Sequence, residues 1–360
     1  MRPGDSRSIS GPSGSRLYRT LNKRISDSDQ KPSMADLTHI PYLSLIQIAV
    51  AYILDLLLGD PQWAYHPVRL IGRSIEGMEF LLRKYPLPER MAGIFLTTGI
   101  VTGTYFITIA ILSISKQWYF FSFAMAGIVI IYFTVSIKCL GNETKKVMTF
   151  LKNNDVIQAR KALSQIVGRD TAHLNTEQIL RACIETVAEG TVDGILSPLF
   201  YCFIGGPAAA MAYRSINTLD SMVGYTNDKY IRMGWASARL DDIANYIPAR
   251  MSAVFIPMAS FFCGCSFQNA LRTAIRDGHK HNSLNSGFPE AAFAGALKVQ
   301  LGGPSVYHGE LVDKPVIGEP KTRLTLDSLA VATRIMYVTS LLFLLCGAGI
   351  FACLKYYELF

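Results

Sequence analysis

Residues 185–220 read ETVAEGTVDGILSPLFYCFIGGPAAAMAYRSINTLD, and the rest of the chain is arranged around them. Glu185, Glu189 and Asp193 precede an apolar run, and Arg214, Asn217 and Asp220 follow it. The run itself, 195–213, approaches the length of about 20 residues that crosses a bilayer as a helix. Pro198 and Gly205-Gly206-Pro207 interrupt it. Proline removes a backbone donor and breaks a helix, and lipid tolerates no unpaired backbone. A helical hairpin that dips in and returns is therefore expected, with charged residues at both of its ends. Through Arg250 the same region carries seven carboxylates, a density that suggests chemistry beside a membrane.

Outward from that stretch the composition agrees. Half of the 360 residues are hydrophobic, 17% are charged and the mean hydropathy is +0.25, which excludes an ordinary soluble domain. The expected fold is an all-α, polytopic integral membrane protein. Four full spans are expected at 40–58, 91–114, 119–137 and 335–354. Two segments, 195–213 and 249–264, are expected to insert in part, the second because it is short and contains Pro257. Large helical cytoplasmic segments connect them.

Charge sets the topology. Apart from the first 33 residues, Lys116 and Lys355, every Lys and Arg lies in or beside 59–90, 138–194, 214–250 or 265–334. The positive-inside rule puts those segments in the cytoplasm, which needs an even number of full spans. The inner cell membrane is the expected location, with the active site on its cytoplasmic side.

Residues 1–33 are rich in Ser, Gly, Pro and Arg, without hydrophobic periodicity, and are expected to be disordered. They lack the apolar core of a signal peptide. Met34 opens a normal start before the first span, so translation is expected to begin there, leaving 34–360 as a single membrane-embedded domain. Nucleic acid is not an expected partner. The seven cysteines include no C-x-x-C pair, and buried free thiols are expected rather than zinc.

After the first span comes DLLLGDPQWAYHPVRLIGR, residues 55–73. Gly59-Asp60-Pro61 stops a helix, and His66, Arg69 and Arg73 offer donors to an anion; the alternative is a turn with Trp63 and Tyr65 at the interface. Asn175 and Gln178 form a capping box for a helix through Ala188, and Gly190 is expected to end it. On that helix Arg181, Glu185 and Glu189 share one face. Carboxylates at such a helix end can hold Mg²⁺ on a nucleotide, although a solvated ion-pair ladder is the commoner pattern.

Small polar residues around Asn217 and Asp220 suit ligand contact, and Arg239, Asp241, Asp242, Asn245 and Arg250 recur at helical spacing. Near the end, His279 and His281 diverge on either regular structure and are expected at the surface. Pro289 and Glu290 are expected to start a helix that Gly302 and Gly303 stop. No G-x-x-x-x-G-K-S/T phosphate loop occurs.

At several ordered motifs the chain resembles the adenosylcobinamide-phosphate synthases of cobalamin biosynthesis, the CobD/CbiB family. They are D-x-x-x-G-D-P and HPV-x-x-I-G within 55–72, ETVAEGTVDGILSPLFY from Glu185, YRSINTLDSMVGY from Tyr213, ARLDDIANYIPAR from Ala238 and S-x-N-x-G-x-P-E-A from Ser283. The likeness runs over about 45–345. Leu284 and Ser286 stand where the family has Pro and Ala, and Gly190 where it often has Asn.

The resemblance implies an enzyme that joins adenosylcobyric acid to (R)-1-aminopropan-2-ol phosphate, or a related amino alcohol, consuming ATP. An acyl phosphate is the expected intermediate, and Mg²⁺ the expected cofactor with ATP. Expected Mg²⁺ ligands are Glu185, Glu189, Asp193, Asp241 and Asp242. Phosphate contacts are expected from Arg69, Arg214, Arg239 and Arg250, the base from His66, and substrate contacts from Asn217, Asp220 and Asn285, with Glu185, Glu189 and Asp220 in the catalytic set. Neighbouring membrane enzymes of the same route are expected partners. A Mg²⁺-dependent membrane prenyl- or phosphotransferase would place spaced Asp pairs on the spans, and a transporter would show repeated halves; neither pattern is present.

Overall fold

The computed structural model describes residues 43–358 apart from 62, 64, 226 and 308; the expectations for 1–33 and for a start at Met34 lie outside the described residues. Among the described residues thirteen α-helices and one hairpin follow in order: α1 (Leu43–Leu58), α2 (Pro67–Arg83), α3 (Glu89–Trp118), α4 (Phe120–Tyr132), α5 (Ile137–Lys152), α6 (Val156–Leu163), α7 (Thr176–Thr191), α8 (Ser197–Val223), α9 (Trp235–Ala244), α10 (Tyr246–Phe262), α11 (Phe267–Asp277), α12 (Gly287–Leu297), β1 (Gln300–Tyr307), β2 (Glu310–Gly318) and α13 (Leu326–Glu358). The all-α, polytopic expectation holds. Among the described residues four helical stretches are long and apolar enough to cross a bilayer: Glu89–Trp118, Phe120–Lys152, Thr176–Val223 and Leu326–Tyr357. On α3, Phe106, Ile107, Ile111 and Ile114 are exposed and face where lipid would lie. The expected first span is an apolar helix of 16 residues, α1, shorter than those four.

Thr176–Val223 is not one straight rod. Gly205 and Gly206 leave helical geometry, Gly206 at φ 66°, a left-handed conformation that favours glycine. Beyond them the chain folds back. Tyr201 and Tyr213 stack with ring centroids 5.1 Å apart, and the Tyr213 hydroxyl donates to Asp193 O at 3.2 Å. Twenty residues of straight helix would separate Asp193 from Tyr213 by about 30 Å. The two arms thus form the hairpin anticipated from Gly205-Gly206-Pro207, and both of its polar ends return to one place.

α7 is the axis of the core. Ile179, Ala182, Cys183, Ile184, Val187 and Ala188 are fully buried, so the helix is packed on most of its circumference. Asn175 accepts from Gln178 N and Gln178 returns a bond to Asn175 N, the expected capping box. The helix does not stop at Gly190. It runs through Thr191 into a π-helical turn, Val192–Leu196, that carries Asp193. Such turns widen a helix by one residue and recur at functional sites.

The hairpin β1–β2 was not expected, and Gly302 and Gly303 lie within it rather than ending α12. α12 instead ends at Lys298, which takes a left-handed conformation. Gly302, at φ 76°, lies between the pairs Leu301–Ile317 and Gly303–Lys314 and is skipped by the register, a bulge. A Cβ there would meet Pro315 O at 2.2 Å. Cys183 and Cys202 are buried and all seven cysteines are free, as expected, although Cys346 and Cys353 are exposed.

Candidate active site

α7 with its π turn, the returning arm of α8, α9 and the loop before α12 enclose a cavity of about 300 Å³. Its carboxylates are Glu189, Asp193, Asp220, Asp241 and Asp242. Five separately encoded acids therefore converge, from three of the motifs quoted above. The wall opposite carries Ser283, Asn285 and Ser286.

Asn245 ties the elements together. Its Oδ1 accepts from Ser197 Oγ at 2.6 Å and from the Tyr213 hydroxyl at 2.9 Å, and its Nδ2 donates to Asp241 Oδ2 at 2.9 Å. That arrangement fixes the amide orientation and leaves Asp241 Oδ1 buried without a partner. Burial, then the charge of Asp220, raises the Asp241 carboxyl to about 7. An orphaned, buried carboxylate oxygen facing other acids is costly unless something cationic completes it.

Asn285 also lines the cavity and closes its loop. It accepts from the Arg250 guanidinium at 2.7 Å and donates to Asp242 O at 2.9 Å. Arg250 lies over the rings of Tyr246 and Phe288, 3.6 Å and 4.6 Å from their centroids, so its position is held from both sides. Arg239 is exposed and pairs with Asp242 at 3.4 Å. Arg214 donates to Ser136 Oγ at 3.1 Å, and its Nε is buried without a partner. Asn217 is half-buried on α8, one turn before Asp220.

Other candidates sit elsewhere. Glu185 has both oxygens engaged: Oε1 accepts from Gly302 N at 2.8 Å, and Oε2 pairs with the Arg169 guanidinium. It anchors the hairpin bulge to α7. His66 is the N-cap of α2, with Nδ1 accepting from Val68 N at 3.3 Å and Nε2 2.7 Å from Asp60. It is buried, packs edge-on against Phe133 and does not line the cavity. Arg69 is exposed on α2.

His281 and Glu290 differ from the sequence expectation. His281 is not a surface histidine: its side chain is 7% exposed and faces the buried Glu290, 3.7 Å away. Glu290 is no mere helix opener. Burial, then the charges of Glu189 and Glu185, holds its carboxyl well above the usual carboxylate range. The sequence signal for Glu290 was the S-x-N-x-G-x-P-E-A motif that contains it, and His281 lies two residues before that motif.

Residues 48–336 match the family model described as CobD/Cbib protein. Named relatives agree. The chain is 45% identical over 294 residues to cobalamin biosynthesis protein CobD of Pelobacter propionicus, covering 82% of this chain and 91% of that one. It is 43% identical to the CobD protein of Clostridium perfringens (83% and 95% covered) and 41% identical to cobalamin biosynthesis protein CbiB of Salmonella typhimurium (83% and 95%). No solved structure matches. The matched range contains every wall of the cavity, and the chain belongs to the CobD/CbiB family.

Proposed function

We propose that this protein acts in cobalamin biosynthesis and that the acidic cavity is the active site of an ATP-dependent amide synthase. On this reading adenosylcobyric acid and (R)-1-aminopropan-2-ol phosphate are joined, at the cytoplasmic face of the cell membrane, to give adenosylcobinamide phosphate. The observation that carries the reading is the convergence of five carboxylates on one cavity, with Asp241 Oδ1 left buried and unpartnered. Relatives named as cobalamin biosynthesis proteins support the pathway, and the substrates are our reading of that membership.

An oxygen-only donor set suits Mg²⁺, and Asp193, Asp241 and Asp242 would hold it. Bound there, Mg²⁺ would supply charge neutralisation for the phosphates of ATP. The chain's own groups do the rest. Arg214, with its free Nε, and Arg250 hold phosphate oxygens. Asn217 and Asn285 orient the polar edges of the substrates. ATP phosphorylates one corrin carboxylate, the free amine attacks that carbonyl, and phosphate leaves. The ammonium must first lose a proton, and Asp220, a carboxylate on the cavity wall, takes it. His66 caps α2 rather than touching substrate, and Arg69 lies outside the cavity lining.

The test is amidation by purified, detergent-solubilised protein given both substrates and Mg-ATP. Equal amounts of adenosylcobinamide phosphate and ADP are expected. Folded protein that yields neither would overturn the reading.

A further inference from the structure

The side of the cavity nearest α12 carries a second group of ligand atoms. Glu189 on α7, Glu290 on the first turn of α12 and His281 in the preceding loop each bring one ligand atom to within 4.8 Å of the others. Glu290 is 2% exposed and the His281 side chain 7%. His281 Nε2 is buried, points at Glu290 and makes no hydrogen bond. Two carboxyl groups this close and this dry either share a proton or take a partner that brings positive charge.

Arg169 is paired with Glu185, and the half-buried Lys314 lends one positive charge to Glu189 and Glu290 together. The histidine's protonation decides the donor set. Ser283 N donates to His281 Nδ1 at 2.9 Å, so in the neutral ring the proton sits on Nε2. His281 is thus a donor aimed into the group, and its ring nitrogen is not a metal ligand. The ligands are carboxylate oxygens, which select a hard cation. Oxygens around Mg²⁺ or Mn²⁺ at about 2.1 Å lie about 3 to 4.2 Å from one another, and atoms gathered within 4.8 Å reach that spacing with small side-chain movements.

We propose that Glu189 and Glu290 hold a second hard divalent cation of the Mg²⁺ class, with His281 Nε2–H donating to a carboxylate or to water on that ion. The proposal deepens the amide-synthase reading, because the same cavity would then carry two cations, one on the Asp241 side and one on the Glu290 side. Cation binding itself needs no nucleotide or corrinoid. Failure of the site is therefore distinguishable from failure of the reaction.

The experiment is a count of bound Mn²⁺ on the full detergent-solubilised chain without ATP or substrates, read from the free Mn²⁺ signal by electron paramagnetic resonance. Wild-type protein should bind two ions per chain. Glu290→Gln should bind one fewer, and Asp241→Asn should lose the other. His281→Gln should keep the count and weaken one ion by about tenfold, the effect of losing a group that orients ligands. Thermal unfolding reports whether Glu290→Gln folds; if it does not, Glu189→Gln, at a half-buried position, must show the same loss of one ion. A folded Glu290→Gln or Glu189→Gln with the wild-type count, or wild-type protein whose only bound ion depends on Asp241, overturns the proposal.

Discussion

Two stretches of this chain are equally rich in polar motif residues, 55–73 and 185–250, yet the structure uses them in opposite ways. In the first, the polar groups are largely consumed by the fold. Asp55 Oδ2 accepts from Ile137 N and Lys138 N at 3.0 and 3.1 Å, capping α5, and His66 caps α2. In the second, charges converge on a cavity and atoms such as Asp241 Oδ1 and Arg214 Nε stay unpartnered. Motif residues in both stretches mark the family. A buried oxygen without a partner occurs in both, Asp55 Oδ1 in the first and Asp241 Oδ1 in the second, so it is the convergence of five carboxylates on one cavity that marks where a ligand belongs.

Asn245 lies where structure and chemistry overlap, so its replacement should have a larger effect than replacements at Asp55, Asp277 or His66. Asn245→Ala strands Ser197, Tyr213 and Asp241 together. Amidation by the purified variant should fall about 10- to 100-fold, as for other ligand-orienting groups. Asp55→Ala probes the opposite stretch. It leaves two buried N–H groups at the start of α5 unpaired, so unfolding in detergent should cost about 2 kcal/mol less, with activity per folded molecule retained. Loss of activity without loss of stability would move Asp55 into the chemistry.

A pH titration of thermal stability gives a smaller signal from a third place. Burial alone would raise the Asp277 carboxyl, but Arg276, Lys280 and Gly318 N hold it well below the usual carboxylate range. A depressed folded pKa means that the stabilisation is complete above the unfolded value of about 3.9 and is lost as pH falls below it. Asp277→Asn should flatten stability below about pH 4 relative to wild type. His66→Asn should do least. Asparagine is also a good N-cap, so amidation and its pH profile should stay near wild type. A large fall in rate with an altered pH profile would restore His66 as the base.

The legible parts of this molecule were those whose physics is local. The capping box at Asn175, the break at Gly205-Gly206-Pro207 and the apolar lengths of the long helices each depend on a few neighbouring residues. Three other features depend on distant contacts. The hairpin carries Gly302, Gly303, Pro304 and Pro315 and shows no clean alternation, and it is held to α7 through Glu185 and Arg169. α12 ends on Lys298, not on a glycine, because Val299 N turns back to Ala294 O and starts the hairpin. His281 and Glu290 meet Glu189 only because α12 packs on α7, about 100 residues away in sequence, so spacing along the chain carries no trace of it. Helical periodicity correctly placed Glu185 and Glu189 on one face. It did not show that Glu185 would be claimed by Arg169.

The most direct measurement is the amidation rate of Asp241→Asn beside wild type, with product mass and ADP followed together and folding checked by thermal unfolding. Loss of both products by about a hundredfold or more, in a variant that unfolds like wild type, is the predicted result. Undiminished formation of adenosylcobinamide phosphate by that variant would place the chemistry outside the acidic cavity.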